Sequence, residues 1–276
     1  MRRVFVFLCS VSMAVGCVVT PAAAQGGGTA APGAYVADFD TLWTTMRDGY
    51  AYLDGKGVDW NRVREVYRPQ AAAATSVREL IPVLERTLDE LYDAHTHLKA
   101  NTAHSWRLVP SGADLWAEWE GDRAVITQVR PGYSAELAGL REGMAVTAVN
   151  GVPIAQAVEA RMGQVVAHAR PQARQWALLS VLAGMHDTPR VLRVRGSDGG
   201  ERDVRLDQPG QPKVDDGPQG GGVEWRRLDG RLGYVRLTDL SGDDVVPMFD
   251  AVLDSLRTSR GLILDLRETA AGGTTS

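Results

Sequence analysis

Asp93-Ala-His-Thr-His97 sets one carboxylate and two imidazoles within five residues. An imidazole titrates near neutrality, so His95 is suited to take a hydroxyl proton during nucleophilic attack. A histidine at a helix end can equally cap carbonyls or face water. A metal reading of Asp93, His95 and His97 needs a further strong ligand nearby, and no metal or cofactor is expected. A second segment runs from Asp265-Leu-Arg267 to Gly272-Gly273. Bare glycine amides there can approach a ligand closely, or simply make a tight strand-to-helix turn. His104, His168 and His186 have no supporting context.

The bulk composition narrows the function. The chain has 276 residues, 44% hydrophobic and 23% charged, which is ordinary for a soluble globular protein long enough for two small domains. A net charge of -4 argues against nucleic acid, which calls for a clustered basic surface. Arg2 and Arg3, the mostly apolar run Val4 to Val19, and Ala22-Ala23-Ala24 predict a signal peptide over residues 1–24. The chain is therefore expected to be exported, periplasmic or secreted. Cys17, after Ala14-Val-Gly, offers lipid anchoring as the one route to a membrane, and the arginine pair could mark twin-arginine export. Cys9 and Cys17 are the only cysteines, so cleavage after Ala24 leaves no disulfide or thiol chemistry.

These segments need elements to position them. A Gly/Ala/Pro linker over 25–33 precedes a helical region over 34–103. There Phe39, Leu42, Trp43, Met46 and Tyr50 recur at helical spacing, with Asp38 or Asp40 as the expected N-cap. Asp59 caps a second helix carrying Trp60, Val63, Val66 and Tyr67, and Ser76 opens a third carrying Leu80, Val83, Leu84, Leu88 and Leu91. Residues 104–207 change to strand alternation. Ser134 is expected to cap a short helix, Asn150-Gly151 to close a turn, and a helical stretch broken at Pro171 to be inserted between Pro153 and Met185. A Gly/Pro/Gln/Asp-rich linker spans 208–222. Beyond it, 223–276 reads as a hairpin about Asp229-Gly230, a helix capped by Asp243 or Asp244 and ended by Gly261, and a strand Leu262 to Leu266 buried on both faces.

Three segments, in order, resemble the C-terminal processing and tricorn-like serine peptidases. Leu91-Tyr-Asp-Ala-His-Thr96 is similar to the Asp-Gly-His-Thr element closing the family's helical region. Val129 to Gly143, continuing to Val149-Asn-Gly-Val-Pro153, resembles a PDZ domain. Gly233-Tyr-Val-Arg-Leu237, followed by Gly261 to Gly273, resembles the opening of the catalytic domain. The resemblance implies an α+β multidomain chain: an N-terminal helical region, a PDZ-like β-rich domain with a helical insertion, and the first βαβ part of an α/β catalytic domain. It implies hydrolysis of peptide bonds in peptides or unfolded proteins.

In the tricorn-like branch His95 would be the general base; in the serine-lysine branch it would not. Gly272 or Gly273 would offer an oxyanion-hole amide, although Thr269 stands at the usual asparagine position, Ala271 replaces a glycine, and one extra residue precedes Gly272. The family's nucleophilic serine and its lysine or glutamate partner lie downstream of that loop. The nucleophile is thus expected to be absent from this chain, and the polypeptide to be an inactive fragment. The PDZ-like part would grip a peptide carboxylate near Gly112-Ala-Asp-Leu-Trp116, with Asp114 a poor neighbour for it and the helical insertion able to cover the groove. The alternative function is a non-catalytic, secreted peptide-binding protein built on that module.

Overall fold

A computed structural model describes residues 31–98, 102–212, 222–229, 231–238 and 244–266. The signal-peptide expectation, Cys17, and the glycine pair Gly272-Gly273 lie outside them.

Four helices come first: α1 (Val36–Gly49), α2 (Leu53–Lys56), α3 (Trp60–Ala73) and α4 (Val77–Asp89). The apolar stripes form one core, with Phe39, Trp43, Trp60, Val63, Tyr67, Leu80, Val83 and Leu91 buried. Burying two tryptophans leaves two indole N–H groups to satisfy. Each donates to the other's backbone: Trp43 Nε1 to the Trp60 carbonyl at 2.8 Å, and Trp60 Nε1 to that of Trp43 at 3.0 Å. Asp59 and Ser76 cap as expected, accepting from the amides of Arg62 and Glu79. Neither Asp38 nor Asp40 caps α1, whose N-cap is Tyr35. Asp40 lies inside a helix that begins earlier, at Val36, and accepts from both Arg64 and Arg68 of α3.

A six-stranded antiparallel sheet follows, made of β1 (Leu115–Glu120), β2 (Arg123–Val129), β3 (Ala145–Val149), β4 (Val152–Pro153), β5 (Arg190–Arg195) and β6 (Glu201–Leu206). The strand order is β1-β2-β3-β5-β6, with β4 paired to β3 through the Asn150-Gly151 turn. Both turn residues have positive φ, which asparagine and glycine tolerate best. The helix α5 (Ser134–Leu137) lies between β2 and β3, while α6 (Ile154–Arg161) and α7 (Pro171–Ala183) form the insertion before β5. Ser134 is not a cap. It lies one position inside the helix, donates to Gln211 Oε1 and accepts from the Asp207 amide. The core gathers Leu115, Ile126, Leu140, Val146, Leu178, Leu182, Leu192 and Leu206.

The last elements are the hairpin β7 (Val223–Leu228) and β8 (Leu232–Leu237), helix α8 (Val245–Leu256), and β9 (Gly261–Asp265), which runs parallel to β8. This is the expected βαβ unit. Gly233 has a packing reason: a Cβ there would stand 2.9 Å from Leu256 of α8. Two details differ from expectation. Gly261 opens β9 rather than ending α8, whose C-cap is Arg257. Leu262, Ile263 and Leu264 are 43–45% exposed, because among the described residues β9 pairs only with β8 and four buried side chains make up the cluster beneath. Among the described residues no helix is long and apolar enough to cross a membrane.

Candidate active site at the end of helix α4

The Asp-Ala-His-Thr element makes its own turn. Leu91, fully buried, anchors it to the helical core, and Tyr92 at φ +38° reverses the chain. Asp93 Oδ1 accepts the His95 amide at 2.9 Å, and Thr96 Oγ1 returns to the Asp93 carbonyl at 2.8 Å. Short polar side chains that bond their own backbone two or three residues away favour such turns. The same Oδ1 lies 3.2 Å from His95 Nδ1. The His95 side chain is 94% exposed and Asp93 only 17%. With the proton on Nδ1, facing the carboxylate, Nε2 is the basic nitrogen.

Burial works to raise the Asp93 carboxyl. The Tyr50 hydroxyl, the two His95 N–H groups and the Lys56 ammonium together outweigh it and hold Asp93 below the usual carboxylate range. Tyr50 shows the reverse effect: burial and the adjacent Asp93 charge both push its phenol well above the usual value. Lys56 is lowered by burial, with Asp93 opposing. Asp93 is therefore a stable anion beside an accessible imidazole.

What fixes this turn against the sheet escaped sequence reasoning. Glu90, the C-cap of α4, is fully buried and accepts from Tyr67 Oη at 2.7 Å and from the amides of Gln164 at 2.6 Å, Val165 at 3.1 Å and Val166 at 2.8 Å. A buried carboxylate is tolerable only when its oxygens are satisfied in this way. Gly163 makes the approach feasible, since a Cβ there would stand 2.2 Å from Glu90 Oε2. One residue earlier, Asp89 takes a two-pronged bond from Arg161 of α6 at 2.6 and 2.9 Å. The Arg161 guanidinium lies 4.8 Å from the ring centre of Trp106 and 4.3 Å from that of Trp176. In the sequence Asp89 and Glu90 look like a polar helix end; the one available signal was two acids placed directly after an apolar stripe.

A cavity of about 60 Å³ opens beside the turn, lined among others by Glu85, Asp89, Asp93, His97, Trp106 and Arg161. Burial raises the Glu85 carboxyl against a bond from Ser105 Oγ at 2.5 Å. His97 Nδ1 lies 2.9 Å from the Leu98 carbonyl. Among the described residues no three or more His, Cys, Asp or Glu side chains converge as a metal site.

The loop expected to grip a carboxylate is closed. The Gly112 amide donates to the Leu108 carbonyl at 2.6 Å and that of Ala113 to Pro110 at 3.2 Å. Asp114 is fully buried, bound through both oxygens by Arg190, which also binds Asp207. At the β1 edge, Gln175 of α7 donates to the Ala117 carbonyl at 2.7 Å, so the inserted helix occupies part of the row a peptide strand would use.

A helical unit, an antiparallel sheet and a βαβ unit, joined in that order, define an α+β multidomain architecture. Residues 34–89 match the family model of the tricorn protease C1 domain. The chain is 29% identical over 258 residues to tricorn protease homolog 1 of Streptomyces coelicolor (strain ATCC BAA-471 / A3(2) / M145), a match covering 86% of this chain and 22% of that protein. Among solved structures it resembles a mutant of CPAF, with a TM-score of 0.52 and 15% identity over 87% of this chain and 57% of that one. It also resembles mature CPAF, with a TM-score of 0.50 and 16% identity over 87% and 56%. At such identities the structural likeness is one of fold. The chain is thus similar to tricorn proteases, over residues 34–89 to the C1-domain model and over 258 residues to a tricorn protease homolog. It spans about a fifth of the length of the curated relative.

Proposed function

We propose that this chain is the base-bearing part of an exported serine-type peptidase, with His95 as general base. The supporting observation is the Asp93–His95 pair: Nδ1 lies 3.2 Å from an ionised carboxylate while the ring stands open to solvent. Nε2 would accept the proton of a serine hydroxyl as its oxygen bonds to the scissile carbonyl carbon. The same proton would then pass to the departing amine as the C–N bond breaks. Asp93 would remain an anion and offset the imidazolium charge, as the carboxylate of a Ser-His-Asp triad does. The nucleophilic serine would belong to the catalytic segment that follows the glycine loop, where the amide of Gly272 or Gly273 would receive the oxyanion. The peptide or unfolded-protein substrate class is inferred from a curated relative whose name is that of a protease.

His95→Ala in the full-length gene product tests the base. Turnover of an unstructured peptide should fall by about 100-fold or more, whereas unchanged turnover moves the mechanism to a serine-lysine pair. Export belongs to the same proposal. Sequencing of the mature N-terminus should begin at Gln25 or, if lipidated, at Cys17, and a mature protein retaining Arg2 and Arg3 would remove it.

A further inference from the structure

Asp93 is gripped at both oxygens. Oδ1 faces His95, while Oδ2 receives the Tyr50 hydroxyl at 2.5 Å and lies 3.7 Å from Lys56 Nζ. Tyr50 follows α1, Lys56 ends α2, and Asp93 follows α4, so three separate parts of the helical unit converge on one carboxylate. Lys56 is itself held. Its ammonium sits 4.2 Å from the Tyr92 ring centre, and its carbonyl accepts the Tyr92 hydroxyl at 2.8 Å. Arg170, on the loop before α7, donates to that hydroxyl at 3.3 Å.

An exposed Asp–His pair is weak when both side chains rotate freely. Here only the imidazole is free. The side chains of Asp93 and Lys56 are each 17% exposed, against 94% for His95. Fixing Oδ2 stops the carboxylate from turning, which keeps Oδ1 on the histidine.

We propose that Tyr50 and Lys56 are positioning residues that act on His95 through Asp93, holding the neutral imidazole with its proton on Nδ1 and Nε2 free to accept another. This rests on the reading of His95 as general base. It extends that reading to two residues 43 and 37 positions before Asp93, neither of which need touch substrate.

The ring nitrogens report the effect directly, without turnover. Nitrogen chemical shifts of ¹⁵N-histidine-labelled chain, recorded on the neutral imidazole, should show Nδ1–H as the major tautomer of His95. Tyr50→Phe and Lys56→Met should each lower the Nδ1–H to Nε2–H ratio by about threefold or more. Lys56→Arg, which keeps the charge, should restore it. A parent with Nε2–H predominant overturns the inference, as does an unchanged ratio in both variants. Should Tyr50→Phe disturb the helical unit, Lys56→Met against Lys56→Arg decides alone, because the methionine keeps the stem over Tyr92. If the ratio responds but His95→Ala leaves turnover intact, the base assignment fails and the positioning role stands.

Discussion

Glu90 and Asp93 stand three residues apart at the end of α4 and do opposite work. Glu90 is fully enclosed, and every partner is a fixed donor: one phenol and three amides of the loop between α6 and α7. It joins the helical unit to the sheet and has nothing left to offer a reactant. Asp93 holds Tyr50 and Lys56 on one oxygen and the His95 amide on the other, which also faces an exposed imidazole. The difference is accessibility and not chemistry. A carboxylate enclosed on all sides is a clasp, while one held firmly beside a solvent-exposed ring can impose orientation and charge on that reactive neighbour.

The comparison breaks most easily at the clasp. Glu90→Ala should destabilise the chain by about 3–5 kcal/mol in urea unfolding, because it takes the acceptor from a buried phenol, the buried Val166 amide and two part-buried amides. A loss under about 1 kcal/mol would show that water replaces the carboxylate and that Glu90 is not a clasp. Gly163→Ala comes next, at about 1–3 kcal/mol, since the new methyl needs the space of a carboxylate that several bonds hold in place. A wild-type unfolding midpoint in that variant would mean the loop can shift freely.

His168 sharpens the contrast through pH. Its Nδ1 faces Glu159 Oε1 and its Nε2 lies 2.7 Å from the Gly163 carbonyl, so both nitrogens meet acceptors and both need a proton. Glu159, then the Gly163 carbonyl, raise the imidazole above its ordinary value of 6.5. A raised folded pKa makes this bridge fully stabilising below about 6.5, with the contribution lost as pH climbs through the folded value. The stability gap between parent and His168→Gln should therefore narrow from about pH 6 to about pH 9; a gap constant across that range would remove the bridge. The smallest stability effect is expected at Asp93, where asparagine keeps the shape and an acceptor oxygen. Asp93→Asn should cost less than about 1 kcal/mol while shifting the His95 tautomer toward Nε2–H, and a loss as large as that of Glu90→Ala would make Asp93 a second clasp.

Much of the fold was legible in the sequence. The apolar stripe from Trp60 to Tyr67, the caps Asp59 and Ser76, and the turns at Asn150-Gly151 and Asp229 are local codes, in which each residue's preference is satisfied within a few positions. The failures were long-range. Asp40 looks like a cap, yet α1 begins at Val36 and α3 places two arginines beside Asp40; Ser134 looks like one until Gln211 and Asp207 arrive. Leu262 to Leu264 have the composition of a buried strand, yet composition records what a strand would prefer and not which neighbours reach it.

The candidate site divides along the same line. Order along the chain determined the Asp93–His95 turn, because an aspartate two residues before a histidine can bond its amide and its ring without outside help. Tertiary structure alone decided that Tyr50 and Lys56 hold the far oxygen, that Glu90 enters the amides of Gln164 to Val166, and that Arg161 lies between two tryptophans. Those partners lie 15 to 76 residues apart. No local spacing encodes them; they meet because burying the helical core and the sheet core brings their ends together, and a buried charge must then find its donors there.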